Sequence, residues 1–162
     1  QNKWSGKATL LDASENKLDA TTLSDIQKIQ AILTWSALPG ASRHHWGTDL
    51  DVYDKKSVEQ HQHDFQLVCS EYDNGPCTQL NNWLNEHATQ FGFSRPYAEY
   101  KGGIAREPWH LSFQASADKM LSLMDEQVLL ANLIKSDILG LHSIIANMPD
   151  IYQRFVLNRG TK

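Results

Sequence analysis

The chain has 162 residues, enough for one domain with a hydrophobic core. Apolar residues make up 41% and charged residues 21%, which argues against a disordered chain. The net charge is −4, there is no basic stripe, and no apolar run approaches the ~18 residues of a membrane span, so neither nucleic-acid binding nor a membrane-spanning segment is expected.

Residues 1 to 23 are polar and irregular and read as loop, with no apolar signal-peptide core. Ser24 is placed to cap a helix in which Ile26, Ile29, Ile32 and Leu33 share one face, running to about Leu38 before Pro39-Gly40 stops it. Thr48 to Tyr53 alternates and predicts a short strand, with Leu50 and Val52 opposite Asp49, Asp51 and Tyr53. Residues 55 to 63 are polar, and a second strand is expected at Phe65 to Val68. After Gly75-Pro76, an amphipathic helix is expected to bury Leu80, Trp83, Leu84, His87 and Phe91 and to end at Gly92. Pro108 argues against a helix interior within Ile104 to Phe113. The last third is helical: Met120, Leu121, Met124, Val128 and Leu129 form one stripe, and Ile138, Leu141, Ile145 and Met148 another. Pro149 then begins a last short helix. This order predicts an α+β fold, a small antiparallel sheet flanked by helices, with a C-terminal helical extension over 116–162 packed on the same domain. That extension either braces the domain or pairs two copies of it. Cys69 and Cys77 flank a turn and are read either as a disulfide, the favoured reading, or as two free thiols.

Two segments carry chemistry: Ser42-Arg43-His44-His45-Trp46-Gly47-Thr48-Asp49-Leu50-Asp51 and Glu107-Pro108-Trp109-His110. A catalytic zinc takes three protein ligands and leaves one position open, and His44, Asp51 and His110 supply a suitable set. Glu107, three residues before His110, is placed to act as a general base toward the attacking water. The zinc-peptidase helix with Glu beside its first His is absent from the sequence.

The pattern Ser42-x-His44-x-x-Gly47-x-x-x-Asp51 followed by Glu107-x-Trp109-His110 resembles the VanY-type D-alanyl-D-alanine carboxypeptidases, zinc peptidases of the bacterial cell wall related to the VanX-type D,D-dipeptidases. Trp35-Ser36-Ala37-Leu38-Pro39-Gly40, Trp83-Leu84-Asn85-Glu86, Phe91-Gly92-Phe93 and Gly102-Gly103 extend the resemblance. It implies a zinc peptidase domain over 1–115, Zn2+ on His44, Asp51 and His110, Glu107 as base, peptidoglycan stem peptides as substrate and a periplasmic or cell-envelope location. Where the chain has Asp49, such proteins usually carry a small residue such as Ala, so Asp49 is read as a second acceptor behind the ligands or an alternative ligand. Their upstream Ser-Tyr-Arg-Ser-like segment has no counterpart here, which implies a domain lacking that segment. The wider superfamily includes hedgehog signalling domains, so the alternatives are a zinc-containing module that binds peptidoglycan or a protein without catalysis, and a D,D-dipeptidase or wall endopeptidase of the same family.

The remaining polar residues have plainer readings. Ser42 either contacts substrate or shapes the turn. Arg43, Arg95 and Arg106 are each able to receive a carboxylate, with Arg106 placed beside Glu107. His45 and Trp46 read as packing around the loop, and Trp109 as a wedge beside the site. His61-Gln62-His63 reads as exposed surface, His87 and His142 as partly buried, and Met120, Met124 and Met148 as core.

Overall fold

The computed structural model describes residues 1–61 and 64–160. Its first feature is a hairpin, strands β1 (Leu10–Leu11) and β2 (Lys17–Leu18), within the segment read as loop. The turn is built from polar contacts that leave no apolar period to read. Asp12 Oδ1 accepts from the N–H groups of Ser14 and Asn16, and Glu15 adopts φ 65°.

Helix α1 (Asp25–Trp35) starts at Ser24, whose hydroxyl accepts from the Gln27 N–H while Gln27 Oε1 accepts from the Ser24 N–H. It ends earlier than expected because Ser36 is already extended. A short 3-10 turn (Arg43–Trp46) leads into β3 (Asp49–Asp51). The polar stretch that follows forms helix α2 (Lys55–His61), with Asp54 accepting from the Ser57 N–H as an N-cap does. With Val58 its single apolar residue, this helix shows no amphipathic stripe in the sequence. His61 is exposed, while Gln62 and His63 lie outside the described residues.

The strand expected at 65–68 is irregular, and α3 (Cys69–Asp73) follows it. Helix α4 (Thr78–His87) continues into a 3-10 turn (Ala88–Phe91) that Gly92 closes with φ 78°. It buries Leu84 and Ala88, but Trp83 and Phe91 are 47% and 60% exposed and stack on each other at 5.8 Å. Strands β4 (Phe93–Ser94) and β5 (His110–Phe113) complete an antiparallel sheet in the order β3-β5-β4. One sheet face meets Leu84 and Ala88 through Leu111, with Val52, Leu80 and Phe93 packed around them. The fold is α+β.

Helices α5 (Gln114–Ser122), α6 (Glu126–Ile134), α7 (Leu141–Ala146) and α8 (Met148–Ile151), then a π-helical turn (Tyr152–Val156), form the last third. Leu129, Leu133, Ile144, Met148, Ile151 and Phe155 share one buried cluster with Ile29 and Leu33 of α1. Of the methionines Met148 is core, whereas Met120 and Met124 are half-buried; Val128 and His142 are exposed. No helix among the described residues is long and apolar enough to cross a membrane.

The favoured disulfide does not form. Cys69 Sγ donates to the Arg106 carbonyl, and Cys77 is buried against Tyr72 and Trp109, so the two thiols are committed to different neighbours.

The end of the chain is anchored near the site. Arg154 Nε donates to the Gly102 carbonyl at 2.8 Å, and Asn158 Nδ2 to the Pro96 carbonyl at 2.9 Å. A Cβ on Gly103 would lie 2.1 Å from the Arg154 carbonyl oxygen, so Gly103 is required for this close approach. Gly103→Ala is therefore expected to cost ~1–3 kcal/mol as overpacking, read as a lower urea midpoint. An unchanged midpoint would mean that the Arg154 segment does not dock there.

Candidate metal centre

Antiparallel pairing of β3 with β5 sets the centre of the site. The register places Asp49 opposite Ser112, Leu50 opposite Leu111 and Asp51 opposite His110. Alternation then sends Asp49, Asp51, His110 and Ser112 to one face and Leu111 to the helix α4 side. His44 reaches the same face from the 3-10 turn, which Gly47 closes at φ 71° by donating to the His44 carbonyl. Gly47 supplies the left-handed conformation that lets the chain turn straight into β3.

His44 Nε2 lies 3.6 Å from Asp51 Oδ2, and His110 Nδ1 lies 3.2 Å from Asp51 Oδ1. One ligand atom from each of the three residues falls within 4.8 Å of the others. The two imidazole rings meet edge to face at 4.8 Å. His110 Nδ1 is buried and has no hydrogen bond among the described residues; Asp51 is close, but not in hydrogen-bond geometry. A buried, unsatisfied nitrogen facing a carboxylate and a second imidazole fits a metal position, and two nitrogens with one carboxylate oxygen fit zinc.

Glu107 Oε2 lies 3.6 Å from His110 Nδ1. Its backbone is fixed on both sides, by Glu107 N–H donating to the Tyr97 carbonyl and His110 N–H donating to the Glu107 carbonyl. Burial pushes the Glu107 carboxyl up to about 7, the Asp51 charge adds to the rise, and His110 opposes it. Burial alone would lower the His110 pKa, but the carboxylates of Asp49, Asp51 and Glu107 outweigh it and raise it.

Asp49 is not one of the three clustered ligands; its carboxylate points behind His110. It accepts from His110 Nε2 at 2.9 Å, Arg43 Nε at 2.8 Å, Thr48 Oγ1 at 2.6 Å and Ser112 Oγ at 3.1 Å. Burial would raise its pKa, yet the hydrogen bonds from His110, Thr48 and Arg43 and the guanidinium charge hold it well below the carboxylate range. Arg43 also donates to Ser112 Oγ and lies 4.9 Å from the Trp46 ring, so Trp46 packs on the loop.

The centre opens into a cleft of about 320 Å³ walled by Trp35, Ser42, Tyr97, Ile104, Trp109 and Phe155. Ser42 is therefore on the cleft wall. Arg106 is not among its lining residues: its guanidinium forms a fork with Asp73, at 2.8 and 2.5 Å, on the far side of the segment that carries Glu107. Arg95 is turned to Asn81, Asn85 and the Pro108 carbonyl. A larger cavity of about 480 Å³ lies between Trp4, Leu38 and Ile138; it holds none of the four chemical residues, so chemistry favours the smaller cleft. Arg43, Thr48, Ser112 and Tyr97, whose ring lies 4.7 Å from that of His110, were not singled out as a group by sequence. Only the cross-strand register brings Ser112 to Asp49, and no local spacing announces it.

A family model described as VanY, D-alanyl-D-alanine carboxypeptidase, matches residues 8–116. An uncharacterized protein of Haemophilus influenzae is 28% identical over 127 residues, 76% of this chain and 96% of that protein. A D-alanyl-D-alanine carboxypeptidase of Enterococcus faecalis is 28% identical over 83 residues, 49% of this chain and 25% of that protein. No solved structure matches.

Calorimetric titration of the metal-free protein with zinc is expected to show one site per chain. His44→Ala removes a candidate ligand whose side chain is 44% exposed, so the variant is expected to fold like the parent and to lose most of its zinc affinity. Parent-like affinity in that folded variant would remove His44 from the site.

Proposed function

The chain belongs to the VanY family of D-alanyl-D-alanine carboxypeptidases, and on that basis we propose that it is a zinc peptidase that removes the terminal D-alanine from peptidoglycan stem peptides in the cell envelope. The observation that carries this reading is the convergence of His44, Asp51 and His110 on one point, with the half-buried Glu107 carboxylate 3.6 Å from His110 Nδ1.

In this reading His44 Nε2, Asp51 and His110 Nδ1 hold the zinc. Zinc, when bound, supplies a Lewis acid that polarises the scissile carbonyl and eases deprotonation of water near neutral pH. Glu107 takes the proton of the attacking water as the new C–O bond forms. It returns that proton to the amine nitrogen as the C–N bond breaks, leaving a shortened peptide and free D-alanine. Burial raises the Glu107 carboxyl in the metal-free site, and a bound cation would favour its ionised form, the form that accepts a proton from water. The Tyr97 ring lies 4.7 Å from that of His110, Trp109 lines the same cleft, and Ser42 on the cleft wall is placed to contact the substrate. Arg106 contributes at a distance, its fork with Asp73 bracing the segment that ends in Glu107.

Zinc-loaded protein incubated with a stem pentapeptide ending in D-Ala-D-Ala is expected to release D-alanine, detected by mass spectrometry. Glu107→Gln is expected to retain zinc and to slow release by ~10²–10⁴-fold. Full turnover in that variant would remove Glu107 as the base. A peptide bound and left intact by the zinc-loaded parent would make the protein a binding module instead.

A further inference from the structure

We propose that Asp49 is a positioning residue that fixes the ring tautomers of both histidines of the metal centre, so that each presents a bare nitrogen to the metal. The proposal rests on the reading of His44, Asp51 and His110 as ligands and adds a role for a residue outside that set.

The geometry at His110 leaves one arrangement. Its Nε2 lies 2.9 Å from Asp49 Oδ1, and the Asp49 side chain is 0% exposed. A deprotonated Nε2 would set a lone pair against a carboxylate oxygen, so Nε2 carries a hydrogen and donates it. In the neutral ring Nδ1 is then bare, and Nδ1 is the buried nitrogen that faces Asp51 and Glu107 with no hydrogen bond. Asp49 acts on the second histidine through its backbone: its carbonyl oxygen lies 3.3 Å from His44 Nδ1. A hydrogen on Nδ1 leaves His44 Nε2 bare toward Asp51. One residue thus orients a Nδ1 ligand with its side chain and a Nε2 ligand with its main chain.

The carboxylate is itself held. Oδ1 accepts from Arg43 and His110, and Oδ2 accepts from Thr48 and Ser112. Both oxygens carry two donors, which uses the capacity of an ionised carboxylate and leaves no freedom to rotate. A carboxylate behind a ligating histidine fixes the ring and strengthens the donor nitrogen, and loss of such partners typically weakens metal binding by about 10–100-fold. A small residue at this position would leave His110 Nε2 and Arg43 without this acceptor.

Three measurements on the parent, Asp49→Asn and Asp49→Ala test the role. In metal-free protein labelled with 15N in the imidazoles, NMR is expected to show His110 protonated on Nε2 in the parent and in a mixture of tautomers in Asp49→Ala. Zinc titration is expected to show affinity lower by about 10–100-fold in both variants. Cobalt-substituted Asp49→Asn is expected to show shifted visible bands, which a merely destabilised fold would not produce. The asparagine variant keeps the side-chain volume, so its affinity remains readable even where the alanine variant unfolds. His110 protonated on Nδ1 in the parent, or parent-like zinc affinity in folded Asp49→Asn, would overturn the proposal alone. A parent that binds no zinc would overturn it together with the metal reading.

Discussion

Antiparallel register between β3 and β5 is the constraint on which the site depends. Asp51 and His110 are brought face to face by backbone hydrogen bonds rather than by any attraction of their own, and the same pairing sets Asp49 against Ser112. A slip of one residue would send every one of these side chains to the opposite face, where Leu111 now packs on Leu84 and Ala88. The apolar face therefore protects the polar one. Burial of Leu111 on helix α4 fixes the register, and the register assembles the chemistry.

A polar face buried this deeply has to be satisfied group by group. The Asp49 carboxylate would be costly to bury alone, and the four donors around it, with the guanidinium charge of Arg43, make it tolerable. Satisfaction stops at the cleft. His110 Nδ1 is left without a hydrogen bond and Glu107 is held where ionisation is disfavoured, so the unspent interactions of the site all point to one place. That distribution, complete behind the candidate ligands and incomplete in front of them, is the pattern expected of a binding centre rather than of a structural polar cluster.

Sequence reading succeeded where the signal is local or strongly typed. The Ser24 cap, the stop at Gly92 and the β3 strand all follow from residue type and spacing, and the candidate ligands His44, Asp51 and His110 come together in the structure with Glu107 beside His110. Elsewhere the deciding physics is tertiary or purely polar. The hairpin around Asp12 and helix α2 are held by side-chain caps with almost no apolar pattern. Trp83 and Phe91 sit at helical spacing yet satisfy each other by stacking at the surface. Arg106, adjacent to Glu107 in the chain, turns away to Asp73, a tertiary partner that local spacing does not announce. Asp49 was visible as an oddity, but only the sheet shows that its carboxylate lies behind His110 rather than beside Asp51.

The stretch that matches the family model ends at residue 116, whereas the largest buried cluster joins α1 to Leu129, Ile144, Met148, Ile151 and Phe155. The inherited unit and the cooperative unit are thus different lengths of chain. Phe155 walls the cleft and Arg154 grips Gly102, so the C-terminal helices pack against the segment that carries the candidate site. By linkage, any ligand bound between His44 and His110 shifts the opening equilibrium of helices that never touch it. Amides in α6 and α8 would then exchange more slowly with solvent deuterium when the cleft is filled, making the far end of the chain a reporter of occupancy.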